Sequence, residues 1–246
     1  MERLRSIRGT TNAAALATAS LMLLTACAGG ESEGGSASAS PTPSASASAS
    51  ASAPNYEPPE EQAPVDLASA VLQPGDLAEF QISEIPDDKR DTPATKADPA
   101  ACRPVENVRL EAFEPKPSAT DRRYALATAG EFRGTGTNIT LASFGAADAE
   151  KILAELRTAL KDCAKGYAGG ALTFEEVRTL DAVDVGDEAV AFHLRGRGVQ
   201  PQWYTVVRQG SVLVRFVSSA STGKDAPVPS PVVVQQVMKV QAAAAR

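Results

Sequence analysis

Between residues 146 and 165 the apolar positions Ala149, Ile152, Leu153, Leu156, Leu160 and Cys163 recur at i, i+3, i+4 and i+7, with Glu150, Lys151, Glu155, Arg157, Lys161 and Asp162 on other faces. That period predicts an amphipathic helix, stopped by Gly166, with Cys163 turned toward the core. After it the texture changes to period-two and continuous β-branched or aromatic runs. Residues 172–177, 189–194, 202–208 and 211–217 read as strands, with a tight turn at Gln209 and Gly210. Residues 123–132 and 138–144 also read as strands, joined through Gly134, Thr135 and Gly136. A short helix is expected over residues 65–72, ended by Pro74 and Gly75, and a strand around Phe80 and Ile82. Residues 86–104 are charged and proline-rich and read as loop, with Cys102 opening a helix toward Phe113. The last helix starts near Pro229 or Pro231 and carries Val233, Val237 and Val240 on one side. Helices and strands mix without a βαβ period, so the expected class is α+β: an antiparallel sheet packed against helices, in one domain over residues 65–246.

The chain ahead of that domain has two parts. Residues 1–26 carry Arg3, Arg5 and Arg8, then an apolar stretch of about a dozen residues, then small residues, which is the build of an export leader. The stretch is shorter than the roughly 20 apolar residues a spanning helix needs. Its end, Leu24, Thr25, Ala26 and Cys27, resembles the bacterial lipobox. That resemblance implies lipid attachment at the Cys27 thiol, cleavage after Ala26 and a place on the outer face of the cell membrane. Residues 27–64 are rich in Ser, Ala and Pro and nearly free of large apolar side chains, so they read as a disordered tether. A flexible coil of that length averages roughly 30–40 Å end to end.

The formal charge is −6, and removing a leader with three arginines and one glutamate takes it to −8. No basic stripe is present, which argues against nucleic acid as a partner. Of the three cysteines, Cys27 is taken by lipid, leaving Cys102 and Cys163 in an oxidising compartment, where a pair points to a disulfide. Closing a loop of about 60 residues stabilises by roughly 4 kcal/mol in the chain-entropy model.

Catalytic chemistry is sparse. His193 is the only histidine, lies mid-strand between Phe192 and Leu194, and has no GxSxG elbow to serve. It reads as a residue on a sheet face or a cleft wall. Asp181, Asp184, Asp187 and Glu188 lack the ligand spacing and glycine of a calcium loop, and Val183 and Val185 among them favour an ordinary turn. No metal or cofactor is expected. Trp203 and Tyr204, adjacent in a strand, face opposite sides of the sheet. Either one joins the core while the other lines a groove, or both are covered. Arg195 and Arg197 either hold an anionic ligand or solvate a turn.

In order along the chain stand Leu67, Leu72, Asp76 and Leu77; the lone Cys102; Phe144 before an alanine-rich helix ending at Cys163; Val185 to Ala189 before a strand; and the hairpin Val207 to Gly210. That order resembles the sensor-like extracellular domains of actinobacterial lipoproteins, related to the external domain of the mycobacterial serine/threonine kinase H. The resemblance covers residues 65–246 and implies an α+β fold with a cleft, a core disulfide and no catalytic constellation. The chain departs from the kinase in having no kinase domain or transmembrane helix and fewer cysteines. The expected function is non-catalytic binding of a small molecule, glycolipid or wall component, with Trp203, Tyr204, His193 and Arg195 as candidate cleft residues. The alternative is an interaction or structural envelope lipoprotein whose partner is another envelope protein.

Overall fold

The structure, a computed structural model, describes residues 65–86, 94–220 and 225–246. The leader, Cys27 and the tether lie outside the described residues. In chain order the elements are helix α1 (Leu67–Ala70), strands β1 (Phe80–Glu84) and β2 (Ala97–Asp98), and a 3-10 turn (Ala100–Cys102) leading into α2 (Arg103–Leu110). Then come β3 (Ala119–Ala127), β4 (Thr135–Ser143), α3 (Ala146–Asp162), β5 (Tyr167–Gly169), β6 (Leu172–Leu180), β7 (Glu188–Gly196), β8 (Val199–Gln209), β9 (Val212–Ala220) and α4 (Ser230–Ala244).

All nine strands form one sheet, in the order β1-β3-β4-β9-β8-β7-β6-β5-β2, and every neighbouring pair is antiparallel. The α+β expectation is met, with helices covering both faces of the sheet. On one face α2 and α3 bury Val105, Leu153, Leu156 and Leu160 against Phe174, Phe192, Leu194, Tyr204 and Val206. On the other, α1 and α4 bury Leu67, Val233, Val237 and Val240 against Ile82, Ile139, Leu141, Val214 and Phe216. Central strands are therefore covered twice, which is why residues 212–218 are all buried, the polar Arg215 and Ser218 included, rather than alternating buried and exposed.

Cys102 and Cys163 form the expected disulfide, with Cα atoms 5.8 Å apart across a sequence separation of 61. Both are buried in the α2/α3 core. The bond pins the start of α2 to the end of α3.

Several boundaries move. The strand expected over 123–132 runs from Ala119 to Ala127, because Gly130 and Gly134 take positive φ and the chain closes a loop there, with the Gly134 N–H donating to the Ala127 carbonyl at 2.9 Å. Thr135 and Gly136, expected in the turn, already belong to β4. Helix α3 ends at Asp162 rather than near Lys165. Gly166, at φ +93°, serves a different need: a Cβ there would lie 2.1 Å from the Phe174 carbonyl oxygen, so only glycine lets β5 turn back this close to β6. The β8–β9 turn is Gly210 and Ser211, one residue later than expected. Strands β2 and β5 were not expected: they are only two and three residues long, and beside Tyr167 they hold Ala, Asp and Gly, which carry no strand signal.

Candidate functional site

A single cross-strand row collects most of the unusual chemistry. Register places Arg178 opposite His193, His193 opposite Trp203, Trp203 opposite Ser218 and Ser218 opposite Thr137. His193 and Trp203 pack ring to ring, their centroids 4.7 Å apart. Both are buried, at 6% and 5% exposure. Among the described residues, neither His193 nitrogen nor the Thr137 hydroxyl meets a hydrogen-bond partner. At its Ser218 end the row meets the chain entering α4: the Ser218 hydroxyl donates to the carbonyl of Ala226, itself buried. Burial, then the positive charge of Arg178, pushes the His193 imidazole below its usual pKa, while Glu176 and Asp225 oppose the shift. A neutral imidazole inside the layer follows.

The other candidate residues do not join it. Tyr204 faces the opposite side of the sheet, as its strand position requires. There it stacks on Phe192 with centroids 4.6 Å apart, lies under the Arg215 guanidinium, and donates its hydroxyl proton to Gln202 Oε1 at 2.7 Å. Burial raises its phenol to about 12. Both Trp203 and Tyr204 are thus covered, and neither lines an open groove. Arg195 is exposed and bonded to its cross-strand neighbour Glu176 at 3.2 Å, and Arg197, in the β7–β8 turn, to Glu175 at 3.0 Å, so both arginines are held in ion pairs. The cleft expected from Trp203, Tyr204, His193 and Arg195 is not a common site. They divide between two faces of one sheet.

Beneath α2 lies a polar network absent from the sequence reading. The Glu106 carboxylate is fully buried and receives both arms of Arg109 at 2.7 Å, the Tyr167 hydroxyl at 3.0 Å and the Thr95 hydroxyl. Burial works to raise its pKa, but the bonds from Arg109 and Thr95 outweigh it, and the net shift is downward. Next to it, Arg215 donates to the Val108 and Arg109 carbonyls at the end of α2 and to Glu111, a cation placed where the helix dipole is negative. Glu106 and Arg109 are three apart on a helix and look in sequence like a surface pair.

Two recesses accompany these groups. One, about 380 Å³, is an open groove over small residues between the start of α2 and α3, including Ala101, Pro104, Ala154 and Ala159. The other, about 330 Å³, lies between the last turns of α3 and the β6–β7 connection. It is lined by Leu160, Leu180, Ala182, Ala189, Val190 and Ala191, together with Arg157, Lys161, Thr179 and Asp181. The acidic cluster around it behaves as a turn: Asp187 accepts from the Gly210 N–H at 2.7 Å and pairs with Arg208, while Glu188 pairs with both Arg157 and Arg208. No group of metal-ligating side chains forms among the described residues.

No protein-family model matches the chain, and no curated protein matches it by sequence. Among solved structures, the extracellular domain of PknH from Mycobacterium tuberculosis aligns over 100% of its own length and 75% of this chain, at 12% identity and a TM-score of 0.50. An uncharacterised protein from Mycobacterium smegmatis aligns over 91% of its length and 69% of this chain, at 15% identity and a TM-score of 0.36. The first likeness is one of fold, in keeping with the resemblance read from the sequence. The second superposes too loosely to bear on function.

Proposed function

We propose that this chain is a lipid-anchored envelope protein whose domain over residues 65–246 binds a small molecule, glycolipid or wall component without turning it over. The observation that carries the reading is the likeness of the described fold to the whole of an extracellular domain of a mycobacterial kinase. It is supported by the Cys27 lipobox and by the buried, neutral His193, which is walled off rather than presented to a substrate. Among the described residues no helix is long and apolar enough to cross a membrane; in this reading the anchor is the lipid on Cys27.

Two measurements test it. Cys27→Ser should move the protein from the membrane fraction to the medium or stall its processing, and unchanged membrane retention would make the leader itself the anchor. Purified domain titrated with envelope lipids and wall fragments should show saturable heats and a raised melting temperature with the ligand recovered intact. A chemically altered ligand would make the protein an enzyme. A second reading, docking onto an envelope protein, draws on Val234 and Met238, the exposed large apolar residues on the outer side of α4. They lie one turn apart and offer only a small stripe.

A further inference from the structure

The recess between α3 and the β6–β7 connection has a feature that its neighbours lack. Three charged side chains line it, and one, Arg157, is committed to Glu188. Lys161 and Asp181 line the same recess, yet among the described residues neither makes a salt bridge or a side-chain hydrogen bond, with each other or with anything else. Their N and O atoms therefore stand more than 4.0 Å apart. A cation and an anion thus line one recess, unpaired, beside Leu160 and Val190, which face each other in the same core layer. At about 330 Å³ the recess falls at the small end of the roughly 300–1,000 Å³ range of small-molecule sites.

We propose that this recess binds a small zwitterion of the amino-acid type with an apolar side chain: Lys161 faces its carboxylate, Asp181 its ammonium, and the apolar lining takes the side chain. The charge pattern selects this class over its neighbours. A simple alkyl carboxylate satisfies Lys161 and leaves Asp181 repelling its head, and an alkylamine does the reverse. A phosphate, with its second negative charge, meets Asp181 at greater cost. A zwitterion carries a partner for each group at once. The Thr179 hydroxyl, also lining the recess, is able to donate or accept at the polar end.

The proposed ligand class presupposes a ligand-binding domain, and the two ideas fail separately. The probes are L-leucine, 4-methylpentanoate, which lacks the ammonium, and 3-methylbutylamine, which lacks the carboxylate, each titrated into the folded protein by calorimetry and by amide NMR shifts. Leucine should bind at least about tenfold more tightly than either analogue, with shifts confined to residues 157–161 and 179–191. Lys161→Ala and Asp181→Ala, both at exposed positions, should leave the fold intact, as the unchanged melting temperature of each variant will show. In Lys161→Ala, leucine should bind no better than 3-methylbutylamine. In Asp181→Ala, it should bind no better than 4-methylpentanoate. Equal binding of leucine and either analogue by the unmodified protein, wild-type affinity in either variant, or no shifts at about 10 mM leucine would overturn the assignment. If an envelope lipid or wall fragment binds while leucine does not, this site falls and the binding function stands.

Discussion

His193 lies 4.7 Å from Trp203, ring centroid to ring centroid, directly across the β7–β8 ladder, with neither imidazole nitrogen hydrogen-bonded among the described residues. Protonation in place would bury an unpaired charge, which burial and Arg178 both resist. The folded protein therefore binds this proton more weakly than the unfolded chain does. Stability due to the neutral imidazole is present above about pH 6.5 and is lost as pH falls from there toward the depressed folded pKa. Chemical denaturation at a series of pH values should show stability declining below about pH 6.5, ahead of the carboxylates. In His193→Leu that part of the slope should vanish. A slope unchanged in the variant would assign it to other groups.

The Cys102–Cys163 bond joins two sites buried in the same core. Native protein should resist alkylation even with mild reductant and react only once denaturant opens the core. Replacing both cysteines by alanine should lower stability by about 2–4 kcal/mol, read as a drop in melting temperature. Free thiols in the native, oxidised protein would contradict the bond.

Glu106 and Gly169 are matched. A Cβ at Gly169 would sit 2.5 Å from the Glu106 carboxylate, so β5 approaches this closely only because residue 169 has no side chain. Glu106→Gln removes the charge that faces Arg109 and should cost about 3 kcal/mol. Gly169→Ala forces the carboxylate aside and should cost about 1–3 kcal/mol. Both changes disturb one network, so the double variant should lose clearly less than the sum. Additive losses would mean that the alanine acts on the strand alone. Because the Glu106 carboxyl is held below its usual range, its contribution is complete above about pH 4.5 and fades as pH falls through the folded value.

How much of this was legible in the sequence depends on how local each signal is. Helix α3 and strands β8 and β9 declare themselves through periodicity, because their buried positions follow from their own 3.6- and 2-residue repeats. The opposite orientations of Trp203 and Tyr204 come from the same rule. That His193 shares a row with Trp203 does not, since it depends on the β7–β8 register, which shifts between Leu194 and Gly196. Glu106 illustrates the limit best. Its helical partner Arg109 is local, but its burial comes from Tyr167 and Gly169, about 60 residues away. The recess at Lys161 and Asp181 is likewise assembled from α3 and the end of β6, with no motif linking them.

Gln236 is the last element that sequence alone would misplace: a polar residue on α4, wholly buried. Its Oε1 accepts the Leu72 N–H at 2.9 Å and its Nε2 donates to the Ala70 carbonyl at 2.7 Å. One amide thus supplies both backbone partners that the end of α1 lacks, and a four-residue helix depends on that clamp because it is too short to persist alone. Gln236→Leu should leave both backbone groups buried and unsatisfied, costing about 2–4 kcal/mol. Gln236→Glu discriminates further. A carboxylate still accepts from Leu72 but has no proton for the Ala70 carbonyl, so it should repel that oxygen and destabilise at least as much near neutral pH. Native-state hydrogen exchange gives the local readout: amides 70–72 should exchange faster in both variants by more than those of β4 or β9 do. Uniform acceleration across the sheet would mean that Gln236 contributes to the fold as a whole and does not clamp α1.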